Sequence, residues 1–81
     1  MNEDEIEALV RAKLAEVAPE LEGEAIDADA SFRDQFDLDS MDFLNFIIAM
    51  HEALGIEIPE RDYPRLYTLR GWIDYLSRRP A

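Results

Sequence analysis

The sequence predicts an all-α domain: a small bundle of three main helices plus one short helix, with a long structured loop between the first and second helices. Three segments carry apolar residues at the three- and four-residue steps that are typical of amphipathic helices. Pro19 cannot continue a helix, and Gly55 suits the position that follows a helix end. Since the chain has 81 residues, we expect a single domain over residues 1–81.

The first predicted helix begins after Asn2 and ends near Ala18. Asn2 is followed three residues later by Glu5, a spacing typical of a capping box, and acids crowd the first turn where the helix dipole favours them. The apolar stripe of this helix comprises Ile6, Leu9, Val10, Leu14 and Val17.

No helical or alternating period holds between Pro19 and Asp39, which predicts a loop. A loop of this length is unusual in a small domain unless it is functional or pinned to the core. Its apolar residues are sufficient to pin it, so we expect a folded loop wrapped over the helices. These residues are Leu21, Ile26, Phe32, Phe36 and Leu38.

The second predicted helix begins at Asp39 or Ser40, since both side chains can accept hydrogen bonds from a first turn, and it ends at Gly55. Asp42 adds negative charge at the positive end of the helix dipole. A helix that is apolar on more than one face is either deeply buried or built to contact a partner. The apolar residues of this helix are Phe43, Leu44, Phe46, Ile47, Ile48, Met50 and Leu54.

A short helix and a final helix are predicted for the rest of the chain. Residues 56–59 are expected to be extended, and Asp62 to cap the short helix with Pro64 in its first turn. Thr68 is expected to cap the final helix, which Gly71 weakens slightly. The apolar stripe and basic end of this final helix comprise Leu69, Trp72, Ile73 and Leu76, then Arg78 and Arg79.

Charge and composition argue against several classes of protein. The formal net charge is −11, and such a field repels nucleic-acid backbones and anionic membrane surfaces, whereas it suits basic patches on partner proteins. No apolar run has membrane-spanning length, and the acidic N-terminus lacks the order of a signal peptide. We therefore expect a cytoplasmic protein without membrane insertion. The absence of cysteine excludes disulfides, thiolate zinc sites and a cysteine nucleophile.

No catalytic residue and no metal site are predicted. The one histidine, His51, lies within a helix without a second base nearby in sequence, so a nucleophilic triad lacks its parts. Asp27 and Asp29 resemble ligands of a calcium loop. Counting from Asp27, however, the required glycine and glutamate positions hold Arg33 and Leu38, which excludes an EF-hand.

Ser40 is the remaining candidate for a functional residue. By itself, a serine at the beginning of a helix is most simply an N-cap. It is also a primary hydroxyl at a helix N-terminus, where free N–H groups and the dipole favour a phosphodiester. It has no base beside it in the motif, but an enzyme that modifies it would supply the base. The residues alone leave both roles open.

Residues 32–42, which read FRDQFDLDSMD, resemble the modification site of acyl carrier proteins, commonly a Leu-Gly-x-Asp-Ser-Leu pattern. Residues 54–60 resemble the segment between the second and third helices of that family, and residues 66–76 resemble its last helix. Ser31 and Phe32 look like the loop anchor before the site. The resemblance extends over residues 31–76 and implies an acyl-carrier-like fold.

This resemblance implies that Ser40, preceded by Asp39 in the motif, carries 4′-phosphopantetheine transferred from coenzyme A by a phosphopantetheinyl transferase. The thiol of that arm would hold acyl groups as thioesters for enzymes of a fatty-acid, lipid or specialised, polyketide-like pathway. The chain would be a monomeric carrier and not an enzyme. Its other expected partners are acyl-transferring or acyl-activating enzymes with basic docking patches.

Two further groups of residues are implied by the carrier hypothesis. The first forms a docking surface, in which acids steer the encounter and apolar side chains make the contact. Its members are Asp39, Met41, Asp42, Ile48 and Glu52. The second group would line a space between the second and third helices that shelters an acyl chain, although plain core packing is the alternative for each member. Its members are Leu44, Ile47, Ile58, Tyr63, Leu66 and Leu69.

The sequence departs from the family pattern at several positions. Asp37 replaces the usual glycine before the serine, and Phe36 replaces the usual leucine; aspartate adopts left-handed geometry better than most residues, so the turn can be kept. Asn45, His51 and Ala53 occupy positions where carriers of fatty acid synthesis often have acids. These differences favour a dedicated carrier of a specialised pathway.

Other functions remain open from the sequence. Small carriers of aminoacyl groups, such as D-alanyl carriers, are also acidic and can show Asp-Ser-Met. A helical interaction domain without any modification would use the apolar second helix for docking. Metal sensing by the crowded acids is a third and weaker alternative.

Overall fold

The computed structural model describes residues 1–78, and in that range it is all-helical, as predicted. The α-helices are α1 (Glu3–Val17), α2 (Phe32–Phe36), α3 (Ser40–Leu54) and α4 (Leu69–Ser77). Two 3₁₀ segments span Pro19–Leu21 and Glu60–Leu66. Within residues 1–78, no helix is both long and apolar enough to cross a bilayer. Arg79, predicted at the end of the last helix, lies outside the described residues.

Both long helices begin with a capping box. The side chain of Asn2 accepts a hydrogen bond from the N–H of Glu5 at 2.8 Å, and the Glu5 carboxylate accepts one from the N–H of Asn2 at 3.0 Å. Asp39 and Asp42 repeat this exchange at the beginning of α3, at 2.8 and 3.4 Å. Asp39, and not Ser40, is therefore the cap of α3.

The helices pack around a core whose centre is aromatic. The ring of Phe46 in α3 lies edge-on to Phe32, with 5.4 Å between centroids, and to Trp72, with 5.6 Å. All three side chains are fully buried, so α3 is joined both to the loop region and to α4. Helix α1 completes the core with buried residues of its predicted stripe, which are Ile6, Val10 and Leu14.

The segment between α1 and α3 contains more regular structure than the predicted loop. The 3₁₀ turn and α2 were not predicted, because elements of one or two turns are too short to show an apolar period. Ser31 caps α2, since its Oγ accepts a hydrogen bond from the N–H of Asp34 at 3.0 Å. As predicted, apolar side chains of this segment pack on the core. Phe32 and Leu38 are buried, and Leu21, Ile26 and Phe36 are half-buried.

Hydrogen bonds tie this segment to itself and to the C-terminal half of the chain. The Gln35 side chain accepts a hydrogen bond from the N–H of Asp27 and donates one to the carbonyl oxygen of Asp27, both at 2.9 Å. The N–H of Phe32 donates to the carbonyl of Tyr67 at 2.8 Å. Asp27 also accepts from the N–H of Asp29 at 3.0 Å, so these two residues shape a turn. Residues 1–78 bring together no group of three metal-binding side chains.

The predicted short helix is a 3₁₀ helix over Glu60–Leu66 and is not capped by Asp62. Pro59 occupies the cap position, and Pro64 lies inside the helix, where it lacks the N–H group that an α-helix requires. The Asp62 carboxylate instead accepts a hydrogen bond from the hydroxyl of Tyr75 in α4 at 2.7 Å. This bond joins the 3₁₀ helix to α4.

Helix α4 begins as predicted at Thr68, whose hydroxyl accepts a hydrogen bond from the N–H of Gly71 at 2.9 Å. Gly71 was predicted only to weaken this helix slightly, but it has a further structural role. A Cβ atom at this position would lie 1.9 Å from the carbonyl oxygen of Arg65. Glycine is therefore required for the close approach of α4 to the 3₁₀ helix, which no pattern in the sequence indicates.

Candidate functional site

Ser40 is the first residue of α3, and its side chain is exposed. Because Asp39 is the cap, the Ser40 hydroxyl is not needed for that role, and it makes no hydrogen bond with any residue between 1 and 78. The first N–H groups of a helix lack intrahelical partners. Asp39 and Asp42 satisfy two of them in the capping box, which leaves the N–H groups of Ser40 and Met41 open to a ligand.

The turn before Ser40 adopts the geometry expected of it. Asp37 ends α2 with φ 54° and ψ 42°, the one non-glycine residue with positive φ in the described part of the chain. Aspartate tolerates this left-handed conformation, so the family turn survives without its glycine. The next residue, Leu38, is buried in the core, whereas Asp39 and Ser40 after it are exposed.

Three apolar side chains lie exposed along the outer face of α3. Met41 is 63% exposed, Leu44 38% and Ile48 45%. Their spacing of three and four residues places them on one face of the helix, and Glu52 continues the same line one turn further. The half-buried Asp42 flanks the N-terminal end of this face. The residues predicted for docking therefore lie along one side of α3. Leu44, which was predicted to line the interior, belongs to this outer face.

The other residues of the predicted acyl pocket lie in α3, in the 3₁₀ helix and the segment before it, and in α4, and they are packed in or against the core. Ile47, Ile58, Leu66 and Leu69 are buried, and Tyr63 is half-buried. The ring of Phe43 lies edge-on to Tyr63, with 6.4 Å between centroids, and to Tyr67, with 5.1 Å. Beside them is an open groove of about 180 Å³. Its lining residues are Ile47, Ile48, His51, Glu57, Ile58 and Tyr63.

The aromatic contact of Phe43 with Tyr67 was missed at the sequence level. The positions are 24 residues apart, and no local period links them. The available signal was compositional, since aromatic side chains follow Ser40 closely on α3 and recur before α4.

His51 is half-buried in the last turn of α3, where it contacts backbone. Its Nδ1 faces the carbonyl oxygen of Ile56, just beyond the end of the helix. A carbonyl can only accept, so Nδ1 donates in this contact. The imidazole thus joins the helix end to the extended segment that follows Gly55, whose φ of 66° confirms it as the predicted end of the helix.

Known proteins resemble this chain over almost its whole length. A family model described as the phosphopantetheine attachment site matches residues 8–76. An acyl carrier protein of Thermosynechococcus vestitus is 31% identical over 81 residues, which cover all of this chain and 99% of the relative. The chain belongs to the acyl carrier protein family. A further acyl carrier protein, from Renibacterium salmoninarum, is 31% identical over 75 residues, covering 89% of this chain and 93% of the relative.

As a member of the acyl carrier protein family, the chain bears covalent 4′-phosphopantetheine, is not itself an enzyme, and interacts with a phosphopantetheinyl transferase and acyl-handling enzymes. The beginning of α3 fits such a group. It presents an exposed hydroxyl that can be esterified and, at Ser40 and Met41, two backbone N–H groups at the positive end of the dipole. Since the sequence contains no cysteine, a reactive thiol has to come with the prosthetic group.

Proposed function

We propose that this acyl carrier protein bears its 4′-phosphopantetheine on Ser40 and serves a dedicated fatty-acid, lipid or polyketide-like pathway. The observation that carries the proposal is the exposed Ser40 hydroxyl, which is relieved of capping by Asp39 at the N-terminus of α3. When bound, the group supplies a thiol that holds acyl intermediates as thioesters. We further propose that the carrier works as a cytoplasmic monomer.

Ser40 is the nucleophile of the attachment step in this proposal. Its Oγ attacks the phosphorus that carries pantetheine in coenzyme A, and the bond from that phosphorus to the leaving oxygen breaks. Adenosine 3′,5′-diphosphate leaves with the electron pair of that bond. The hydroxyl proton passes to a base of the transferase, since the carboxylates of Asp39 and Asp42 are engaged in the capping box. The N–H groups of Ser40 and Met41 favour the resulting phosphodiester.

The proposed docking surface is the outer face of α3, where Asp39, Asp42 and Glu52 accompany exposed apolar side chains. Between Phe43 and Met50 the sequence contains no charged residue. This supports partners that combine an apolar contact with a basic rim. It also supports a specialised pathway, because the acids typical of fatty-acid carriers are missing from the middle of this helix. A carrier must release each partner, so the contact should be small and short-lived.

The attachment site is tested with the variant Ser40→Ala, incubated with coenzyme A and a phosphopantetheinyl transferase. Mass spectrometry should show one phosphopantetheinyl increment on the wild type and none on the variant. Ser77→Ala, which removes another exposed helical hydroxyl, is the matched control and should be modified fully. Since Ser40 is not the cap, its removal should change the free energy of unfolding by no more than about 0.5 kcal/mol. Modification of the Ser40→Ala protein would overturn the assignment.

A further inference from the structure

An open groove of about 480 Å³, the α2 groove, lies along α2 and reaches the turn before Ser40. We propose that the α2 groove is a resting site for the pantetheine part of the prosthetic arm, and that Arg33 and Tyr67 bind the arm there. This proposal rests on the attachment to Ser40 proposed above. The volume lies within the range of about 300–1,000 Å³ that is usual for small-molecule sites. The lining residues are Ser31, Arg33, Asp34, Asp37, Leu38 and Tyr67.

The α2 groove lies within reach of the attachment site. Asp37 lines it and precedes Ser40 by three residues. Consecutive Cα atoms are about 3.8 Å apart, so the Cα atoms of these two residues are separated by no more than about 11 Å. The phosphopantetheine arm has about fourteen bonds from the serine oxygen to the sulfur, which is roughly 16 Å when extended like a peptide with as many bonds. The arm is therefore long enough to run from Ser40 into the groove.

The polar groups of the α2 groove complement those of pantetheine. Beyond its phosphate, the arm is uncharged and carries two amides, a hydroxyl and a carbon with two methyl groups. The guanidinium of Arg33 and the hydroxyl of Tyr67 can donate hydrogen bonds to the amide carbonyls. The carboxylates of Asp34 and Asp37 can accept hydrogen bonds from the amide N–H groups. None of these four polar groups makes a hydrogen bond or ion pair with another residue between 1 and 78, so all four are available to the arm.

The apolar part of the lining comes from Leu38 and Tyr67, and both residues are held in place. Leu38 is buried in the core, and Tyr67 is 37% exposed. The ring of Tyr67 lies edge-on to Phe43, with 5.1 Å between centroids, and its carbonyl accepts a hydrogen bond from the N–H of Phe32 at 2.8 Å. The methyl groups of the arm therefore meet a surface that is already ordered, which lowers the entropy lost on binding.

The charges of the α2 groove favour the arm over the nucleotide of coenzyme A. The lining combines one cation, Arg33, with the carboxylates of Asp34 and Asp37, so its net charge is negative. Adenosine 3′,5′-diphosphate carries several negative charges and is repelled by such a lining, whereas pantetheine is neutral. No lining residue belongs to α3, so an arm in the groove leaves the outer face of α3 open to a partner.

A weak site is sufficient because the arm is tethered beside it. A short flexible tether gives an effective concentration on the order of 1 mM. A groove that binds free pantetheine with a Kd of about 1 mM therefore holds the tethered arm about half of the time. Weak binding also suits a carrier, since the arm has to leave the groove at each delivery to an enzyme.

The first test uses the unmodified carrier and free pantetheine, so its outcome does not depend on the attachment to Ser40. In ¹H–¹⁵N spectra, pantetheine should shift the amide signals of Ser31, Arg33 and Tyr67 with a Kd on the order of 1 mM. Adenosine 3′,5′-diphosphate at the same concentration and ionic strength should leave these signals unchanged. No shift with pantetheine, shifts with the nucleotide alone, or shifts that require added transferase would each overturn the proposal.

The second test compares the unmodified carrier with the carrier that bears the arm. Mass spectrometry first verifies the arm on Ser40, so a failure of loading counts against the attachment and not against the α2 groove. The modified form should show changed signals at Ser31 and Tyr67 as well as close to Ser40. Nuclear Overhauser effects from the methyl groups of a ¹³C-labelled arm should place these methyl groups near the ring of Tyr67. Changes confined to residues 37–54 would contradict the site.

Variants of the lining give an independent measurement. Arg33→Ala should lower the ratio of docked to free arm by about fivefold, so the signal changes caused by the arm at Ser31 and Tyr67 should fall to about one third. Tyr67→Phe keeps the ring, removes the hydroxyl and should also reduce the change at Ser31. Arg61→Ala removes another exposed arginine, is the matched control and should leave the changes as in the wild type. Changes of equal size in Arg33→Ala and Arg61→Ala would refute the role of Arg33.

Discussion

Helices α1 and α3 share their construction but differ in what they present to solvent. Each has 15 residues, begins with a capping box and buries one apolar stripe in the same core. The outer face of α1 is covered by charged side chains, such as Glu7, Arg11 and Glu16. The outer face of α3 instead exposes Met41 and Ile48. An exposed apolar face is a surface that a partner can contact, and for this reason we propose the outer face of α3 as the docking surface.

The two N-termini make the same contrast on a smaller scale. Asn2 and Asp39 both accept from the third residue of their helix at 2.8 Å. After Asn2 the chain continues with Glu3 and Asp4, whose charges suit the dipole and repel an anion. After Asp39 it continues with Ser40 and Met41, a hydroxyl and a neutral side chain. A phosphate group is thus favoured at one helix N-terminus and disfavoured at the other.

The largest expected effect is on the free energy of unfolding, and it distinguishes the buried face of α3 from its exposed face. Phe46→Ala removes the ring that contacts Phe32 and Trp72, and we expect a loss of about 3–5 kcal/mol in the free energy of unfolding. Ile48→Ala, on the exposed side, should change it by no more than about 0.5 kcal/mol. Urea titrations followed by circular dichroism measure both values. A large loss for Ile48→Ala would mean that the outer face is part of the core.

The next effect concerns partner binding. Replacing both Met41 and Ile48 with alanine should weaken docking to a cognate acyl-transferring enzyme by about tenfold, since exposed apolar anchors are worth about 1–2 kcal/mol at a small interface. Calorimetric or surface-binding titrations would measure the Kd. Asp4→Ala, on the outside of α1, is the control and should bind like the wild type. If the control weakens binding as much as the double variant, then α1 takes part in docking and the contrast between the helices fails.

The sequence was sufficient to predict the parts of the fold that depend on local chemistry. The apolar stripe of α1, the capping box of Asn2 and Glu5, the cap at Thr68 and the end of α3 at Gly55 were all predicted and are present. Helix α2 was missed because five residues show no period. The cap assigned to Asp62 was wrong because a tertiary contact with Tyr75 engages its carboxylate.

Prediction of the site follows the same division between local and tertiary features. The motif around Ser40 predicted a modification residue, and the local geometry of α3 leaves its side chain exposed. The interior was harder to predict, because Leu44 is exposed and Phe43 contacts Tyr67, which lies 24 residues further along the chain. Such contacts join residues distant in sequence, and only the folded chain brings them together.

A smaller effect is expected from removing the caps. Asn2→Ala and Asp39→Ala should each lower the free energy of unfolding by about 1 kcal/mol, because the same hydrogen bonds are lost. Only Asp39→Ala should also slow modification by the transferase, since it disturbs the turn that presents Ser40. Initial rates from mass spectrometry at a temperature where both variants are folded would separate these effects. Equal rates for the two variants would show that the cap has a purely structural role.

The smallest effect is the dependence of docking on salt. If α3 alone forms the contact, its charges are Asp39, Asp42 and Glu52, and exposed pairs of this kind contribute about 0.2–1 kcal/mol each. Since charges are screened beyond about 10 Å at 0.1 M salt, raising sodium chloride to about 0.5 M should weaken binding only about threefold. Were the acids of α1 to join the contact, the loss would be much steeper. Glu3→Gln combined with Glu7→Gln should therefore leave the salt dependence of the Kd unchanged, whereas Asp42→Asn with Glu52→Gln should flatten it.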